Sequence, residues 1–149
     1  MDLLTSESGL ELDDPRWPIL TFGVQRSPAR IHESARIAHS LISPGCRVSG
    51  HVERSILGPG VVVEEGATVR HAILLNDCTV RTGATVDCAI LDEGAQVGAG
   101  AHVGSRTDGT VREESEIALI GRAAQVAEGA RIEAGGRIEP AGMEEATSK

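Results

Sequence analysis

Between Val52 and Val103 the apolar positions return on a fixed beat. Valine stands at 52, 69, 86 and 103, three steps of seventeen. Other columns keep the same step: Ile56, Ile73 and Ile90; Leu57, Leu74 and Leu91; Val63, Val80 and Val97; Gly66, Gly83 and Gly100. Many columns repeating at one period mark a repeat architecture, which outranks any local helix or strand preference. Within each seventeen, the aliphatic anchors fall in steps of five, six and six. A small residue precedes most anchors by two places, at Ser55, Ala67, Ala72, Cys78, Ala84, Ala89, Ala95 and Ala101. This is the hexapeptide pattern of a parallel β-helix with three short sides per coil. A coil that narrow leaves room at its axis for one branched aliphatic and one small residue per side. Its corners are expected to carry Gly, Asn or Asp, which tolerate a positive φ at little cost.

The pattern starts at Pro28, where Ile31 to Ile37 matches Val63 to Val69, and runs to Ile138. It predicts an all-β solenoid of about six coils over residues 28–139. A shortened coil lies between Ile37 and Val52, and a break follows Gly104, giving an inserted loop over 104–116. The three hexads from Ala118 resume the period. Residues 140–149 are polar and read as a disordered tail. Residues 1–27 show no hexapeptide period. There Pro15 and Pro18 flank Trp17 and argue against a helix. The stretch reads as a linker or docking arm whose Trp17 and Phe22 anchor it.

Alternation along each short strand separates an inner from an outer column. If Ser55 and Leu57 point inward, Ile56 points outward, and so do Leu41, Ile73, Ile90 and Leu119. The outer columns of the other two sides are mostly polar (Arg47, Val62, Thr79 and Gln96; Thr68, Thr85 and His102). One face therefore carries an aliphatic ladder, and a contiguous apolar strip marks a contact surface. The expected partners are another domain or another copy of the chain.

Composition narrows the picture. The chain has 149 residues with one Trp, one Phe and no Tyr, so a core of aromatic layers is excluded. A formal net charge of -8 argues against nucleic acid and anionic membranes as partners. No apolar run approaches the roughly 20 residues of a membrane-spanning helix. The acidic start lacks the basic region of a secretory signal. Cys46, Cys78 and Cys88 are odd in number and form no CxxC pair, as expected for free thiols in a reducing cytoplasm.

Catalytic constellations are hard to find. The five histidines (32, 39, 51, 71 and 102) do not follow the coil period, so a three-imidazole zinc site is not expected. No His lies in the 104–116 loop to serve as an acyltransferase base. The only Lys is Lys149, and no glycine-rich phosphate loop joins a strand to a helix. No catalytic residue, metal or cofactor is assigned. A free-standing hexapeptide acyltransferase and a purely structural solenoid stand as alternatives to a docking module.

The chain also resembles a known family. MDLL at the start, DPRWPILTF (14–22) and SPARI (27–31) resemble the inter-domain linker of bacterial ADP-glucose pyrophosphorylase (glucose-1-phosphate adenylyltransferase). SLISPGCRVSGHVERSILGPGVVVEEGATV (40–69) resembles the first coils of that family's C-terminal left-handed β-helix, and IALIGRAAQV (117–126) resembles its late strand. The resemblance implies a left-handed coil and a non-catalytic role in oligomerisation and allosteric regulation. It implies as partner the nucleotidyltransferase domain that makes ADP-glucose and pyrophosphate from ATP and glucose 1-phosphate for glycogen synthesis. It implies a fragment, or a stand-alone regulatory-type subunit. It further implies effector-binding roles for Arg122 and for Arg30, whereas Glu93 stands at a position that is basic in the family.

Overall fold

The computed structural model describes residues 15–16, 25–104 and 116–141. Trp17, Phe22, most of the inserted loop and all of the tail beyond Ala141 lie outside the described residues. Within them, eighteen short strands wind through six coils, and each coil gives one strand to each of three parallel sheets.

Face A stacks β1 (Arg30–Ile31), β4 (Arg47–Val48), β7 (Val62–Val63), β10 (Thr79–Val80), β13 (Gln96–Val97) and β16 (Gln125–Val126). Face B stacks β2 (Arg36–Ala38), β5 (His51–Glu53), β8 (Thr68–Arg70), β11 (Thr85–Asp87), β14 (His102–Gly104) and β17 (Arg131–Ile132). Face C stacks β3 (Leu41–Ile42), β6 (Ile56–Leu57), β9 (Ile73–Leu74), β12 (Ala89–Leu91), β15 (Ala118–Ile120) and β18 (Arg137–Ile138). The seventeen-residue step is one turn of the coil: Thr79 pairs with Gln96, Val69 with Val86, and Ile73 with Ile90.

The columns repeat because each position stacks on its own equivalent one coil away. Leu57, Leu74, Leu91 and Ile120 line one inner edge, and Val52, Val69, Val86 and Val103 line another, all essentially inaccessible. Burying each of these leucines stabilises by about 1.5–3 kcal/mol. The small residues do the complementary work: Ser55, Ala67, Ala72, Cys78, Ala84, Ala89, Ala95 and Ala101 are all buried. In the shortened second coil, Ser49 and Gly50 lead straight from β4 into β5 without shifting its register, and His51 still pairs with Thr68.

Two of the corners match the expected chemistry. Gly45, Gly60, Asp77 and Gly94 hold positive φ between faces C and A, where Ala123 (φ 54°) is the one departure, and Gly66, Gly83, Gly100 and Gly129 do so between A and B. The corner between faces B and C corrects the expectation. His39, Arg54, His71 and Cys88 sit there at φ of 47°, 46°, 47° and 53°, where a side chain costs about 1–2 kcal/mol. The interstrand ladder offsets this cost. Arg54 N–H donates to Ala38 O, His71 N–H to Glu53 O, and Cys88 N–H to Arg70 O, at 3.1–3.2 Å. The chain leaves for its excursion beside this corner, at Gly104 (φ 82°), where a Cβ would collide with Asp87 O.

Candidate functional site

The outer residues of face C form an unbroken aliphatic column. Leu41 lies on Ile56, Ile56 on Ile73, Ile73 on Ile90 and Ile90 on Leu119, with Arg137 ending the row. Each is partly exposed, while its neighbours Leu57, Leu74 and Leu91 are fully buried. The ladder residues are thus outward and the leucines inward, as alternation requires. Leu75, at 42% exposure, extends the strip past β9. Near the far end the surface dips into an open groove of about 460 Å3 lined by Leu75, Ile90, Leu119, Ile138, Pro140 and Arg137. Faces A and B show no such column: Arg30, Arg47, Val62, Thr79, Gln96 and Gln125 project from one, with Val62 its single aliphatic, and Arg36, His51, Thr68, Thr85 and His102 from the other.

Charge is distributed along the axis. Between residues 25 and 57, the first two coils carry five arginines (26, 30, 36, 47 and 54) and two glutamates (33 and 53), although the chain as a whole is acidic. Arg30 and Arg47 stack in adjacent strands of face A. With Arg26, Gln25, Ser27 and Gly45 they line an open groove of about 400 Å3. The segment before β1 forms a strap across the C–A corner. Gly45 N–H donates to Ser27 O at 2.6 Å. Arg26 reaches two coils further and makes a two-pronged ion pair, Nη1 to Asp77 Oδ1 at 2.6 Å and Nη2 to Oδ2 at 2.8 Å. Its path runs over Gly45 and Gly60, where a Cβ would meet the arginine side chain. The Asp77 hydrogen bond raises the Arg26 pKa, so the guanidinium stays charged.

Arg122 lies on the same corner near the other end, paired with Glu93 across one coil (Nη2 to Oε2, 3.0 Å) and largely exposed. Arg30 and Arg122 are not brought together. Arg30 is in the first strand of face A and Arg122 just precedes the sixth, so about 20 Å or more of stacked strands separates them. One small ligand cannot bridge both within a single chain.

A further cluster lies at the B–C corner. Asp87 is 1% exposed and accepts from Arg70 Nη2 at 2.8 Å, with His71 Nδ1 at 3.3 Å from its other oxygen. Spacing shows this pair too, since Arg70 and Asp87 are one coil apart and in register. Among the described residues no group of three or more His, Cys, Asp or Glu is placed to hold a metal ion. No described helix is long and apolar enough to cross a membrane. Burial pushes the Cys46 thiol up and pushes that of Cys78 up to about 11. Both are inaccessible, as expected of inert core thiols.

With this geometry in view, the similarity to known proteins is informative. The model of a GlmU-like C-terminal hexapeptide family matches residues 27–120, from the strap to the fifth coil. The chain belongs to this hexapeptide family. The hexapeptide repeat appears here as sides of five, six and six residues in a coil of seventeen. The chain is also similar to proteins named glucose-1-phosphate adenylyltransferase, among them those of three bacteria. It is 32% identical over 120 residues to that of Desulforamulus reducens, which covers 80% of this chain and 30% of the relative. It is 38% identical over 111 residues to that of Bacillus cereus strain Q1 (74% and 27%), and 33% identical over 129 residues to that of Cutibacterium acnes (82% and 31%). The chain therefore spans only about 30% of the length of these relatives.

The ladder residues followed from the alternation of the sequence, whereas Arg30 and Arg122 came from the family resemblance alone. Arg47, the Arg26–Asp77 pair and the Asp87 cluster were not singled out there. A seventeen-residue spacing of charges was the available signal for Arg30 with Arg47 and for Arg70 with Asp87. Arg26 precedes the repeat, and no periodicity points to it.

Proposed function

We propose that this chain is the non-catalytic docking and regulatory part of a glucose-1-phosphate adenylyltransferase, with face C as its seat for the nucleotidyltransferase domain. The observation that carries the reading is the aliphatic column from Leu41 to Leu119, unbroken over five coils of one face and missing from the other two. The similarity to adenylyltransferases over most of this chain, but under a third of theirs, supports the same division of labour. The solenoid supplies a rigid strip, and a partner burying it removes apolar side chains from water. On this reading the partner makes ADP-glucose and pyrophosphate from ATP and glucose 1-phosphate, and the solenoid holds subunits together in the cytoplasm. Arg30 and Arg122 serve as two separate anion contacts for an effector bound between the partners. Trp17 and Phe22 anchor the arm that joins them.

Light scattering on the purified chain, with and without a matching nucleotidyltransferase domain, tests this. The expected result is a discrete oligomer or a stable complex that Ile73→Asp disperses while the solenoid's circular dichroism is unchanged. Leu41→Lys, at the more exposed end of the ladder, is the second variant should Ile73→Asp fail to fold. A monomer indifferent to the domain would refute the proposal, as would a complex that tolerates both substitutions. Coenzyme A binding by such a monomer would point to the acyltransferase class instead.

A further inference from the structure

We infer that the run Trp17–Val24, which lies outside the described residues, is the solenoid's own cap and seats on the open end of the first coil over Ile31, Ile37 and Ile42. Trp17 and Phe22 are anchors in the docking proposal as well; the seat assigned here lies within this chain and needs no partner domain.

The end of a solenoid is where the repeat stops protecting itself, and terminal coils need a cap. β1, β2 and β3 are the outermost strands of faces A, B and C, so each has an edge of backbone donors and acceptors with no strand beyond it. Their inner anchors are uncovered as well. Ile31, Ile37 and Ile42 pair with Val48, Val52 and Leu57, all three at most 1% exposed. In the first coil the same inner positions stand at 51% for Ile31 and 37% for Ile37, with Ile42 half-buried. The sixth coil differs, because its anchors Val126, Ile132 and Ile138 are buried or half-buried. There the chain runs on past β18, and Ala141 N–H donates to Arg122 O as the start of one more rung. Among the described residues only the first end is open.

Position and charge favour the chain's own arm over a second copy as what covers that end. Gly45 N–H donates to Ser27 O in the pattern of Gly60 to Pro44, Asp77 to Pro59 and Gly94 to Asn76. Ser27 therefore already lies on the coil's path, one rung before Pro44, and the residues ahead of it start at the free edge of β3. Counting back the same seventeen from Leu41 gives Val24. Eight extended residues reach about 26 Å, against roughly 20 Å for a six-residue side, so the run can cross the end to Ile37. It holds Trp17, Ile19, Leu20, Phe22 and Val24, among them the chain's one Trp and one Phe. Residues 1–14 add five carboxylates and no Lys or Arg, whereas Arg30 and Arg36 stand on the end strands themselves. An acidic lead brought to that end meets opposite charge. Two first coils set face to face would instead oppose their own arginines. A first coil stacked on another copy's sixth coil would leave an open end at each step and propagate into a fibre.

The test uses the full chain alone, with Trp17 as reporter because it is the only Trp. Acrylamide quenching of its fluorescence is expected to be severalfold weaker in the native chain than in urea, with emission at shorter wavelength and neither changing on dilution. Ile31→Lys and Phe22→Ser should each raise quenching toward the unfolded value, and Ile73→Thr on face C should leave it low. Phe22→Ser alters no solenoid residue, so it stays decisive should Ile31→Lys unfold the coils by circular dichroism. Native quenching equal to that in urea would overturn the inference. So would protection lost on dilution, which gives the seat to a second copy. Protection lost in Ile73→Thr but kept in Ile31→Lys would overturn it too, by putting the arm on face C. The assay contains no nucleotidyltransferase domain, so these failures are separate from failure of the docking proposal.

Discussion

At the scale of single residues, the solenoid works by assigning each side chain to one of a few environments, and the environment then sets its chemistry. Cys78 illustrates this. It fills an inner small-residue slot with its Sγ 3.0 Å from Asp92 O, and loss of water around the thiolate raises its pKa to about 11. An unfolded chain exposes the same thiol at an ordinary value near 8.5. Between those values the folded state binds more protons than the unfolded one, so stability is intact below about pH 8.5 and falls as pH rises through about 11. Cys78 is expected to resist iodoacetamide in the native chain at pH 8 and to react once the chain is unfolded in urea. Rapid native alkylation, located by mass spectrometry, would contradict the burial. The same assignment of environments explains why Ile73 and Leu74, neighbours of similar apolarity, have opposite roles. One faces the axis and the other faces outward, and only the alternation of the strand separates them.

At the scale of elements, strands of two or three residues have little stability of their own, and what joins one coil to the next matters more. At the B–C corner serine hydroxyls make part of that connection. Ser55 Oγ donates to Glu53 O at 2.7 Å and accepts from Ala72 N–H at 3.2 Å, and Ser40 Oγ likewise accepts from Ser55 N–H. Ser55 is fully buried, so Ser55→Ala removes the acceptor for Ala72 N–H in a place water does not reach. A loss of about 1–3 kcal/mol is expected, read from the midpoint of urea unfolding. A loss below a few tenths would mean that the corner relaxes around the alanine. The sequence showed Ser55 only as a small residue two places before an anchor. Its hydrogen bonds come from the left-handed turn at Arg54, which brings the next coil's backbone over it. Residue type alone did not announce that turn, since His39, Arg54, His71 and Cys88 are not turn formers by preference. The neighbouring coils impose it.

At the scale of the whole molecule, the solenoid is close to one-dimensional, with each coil resting on its neighbours only. The sixth coil covers the inner edge of the fifth through Val97–Val126, Val103–Ile132 and Ile120–Ile138. Truncation after Gly121 is expected to lower the melting temperature by several degrees while leaving a single cooperative transition. Complete loss of folding would show that the last coil nucleates the rest, contrary to nearest-neighbour behaviour. The sequence by itself determined the period, the three sides, the buried columns and the aliphatic face, because each coil places the same chemistry at the same point and the repeat writes that geometry directly into spacing. Partnerships that cross the period were left to the tertiary structure. Arg26 meets Asp77 fifty-one residues away because the entering strap runs over a glycine-lined corner, and no local pattern encodes that path. Arg30 and Arg122, which family resemblance joins in one role, are held apart because stacking is axial and every coil between them adds roughly 4.8 Å.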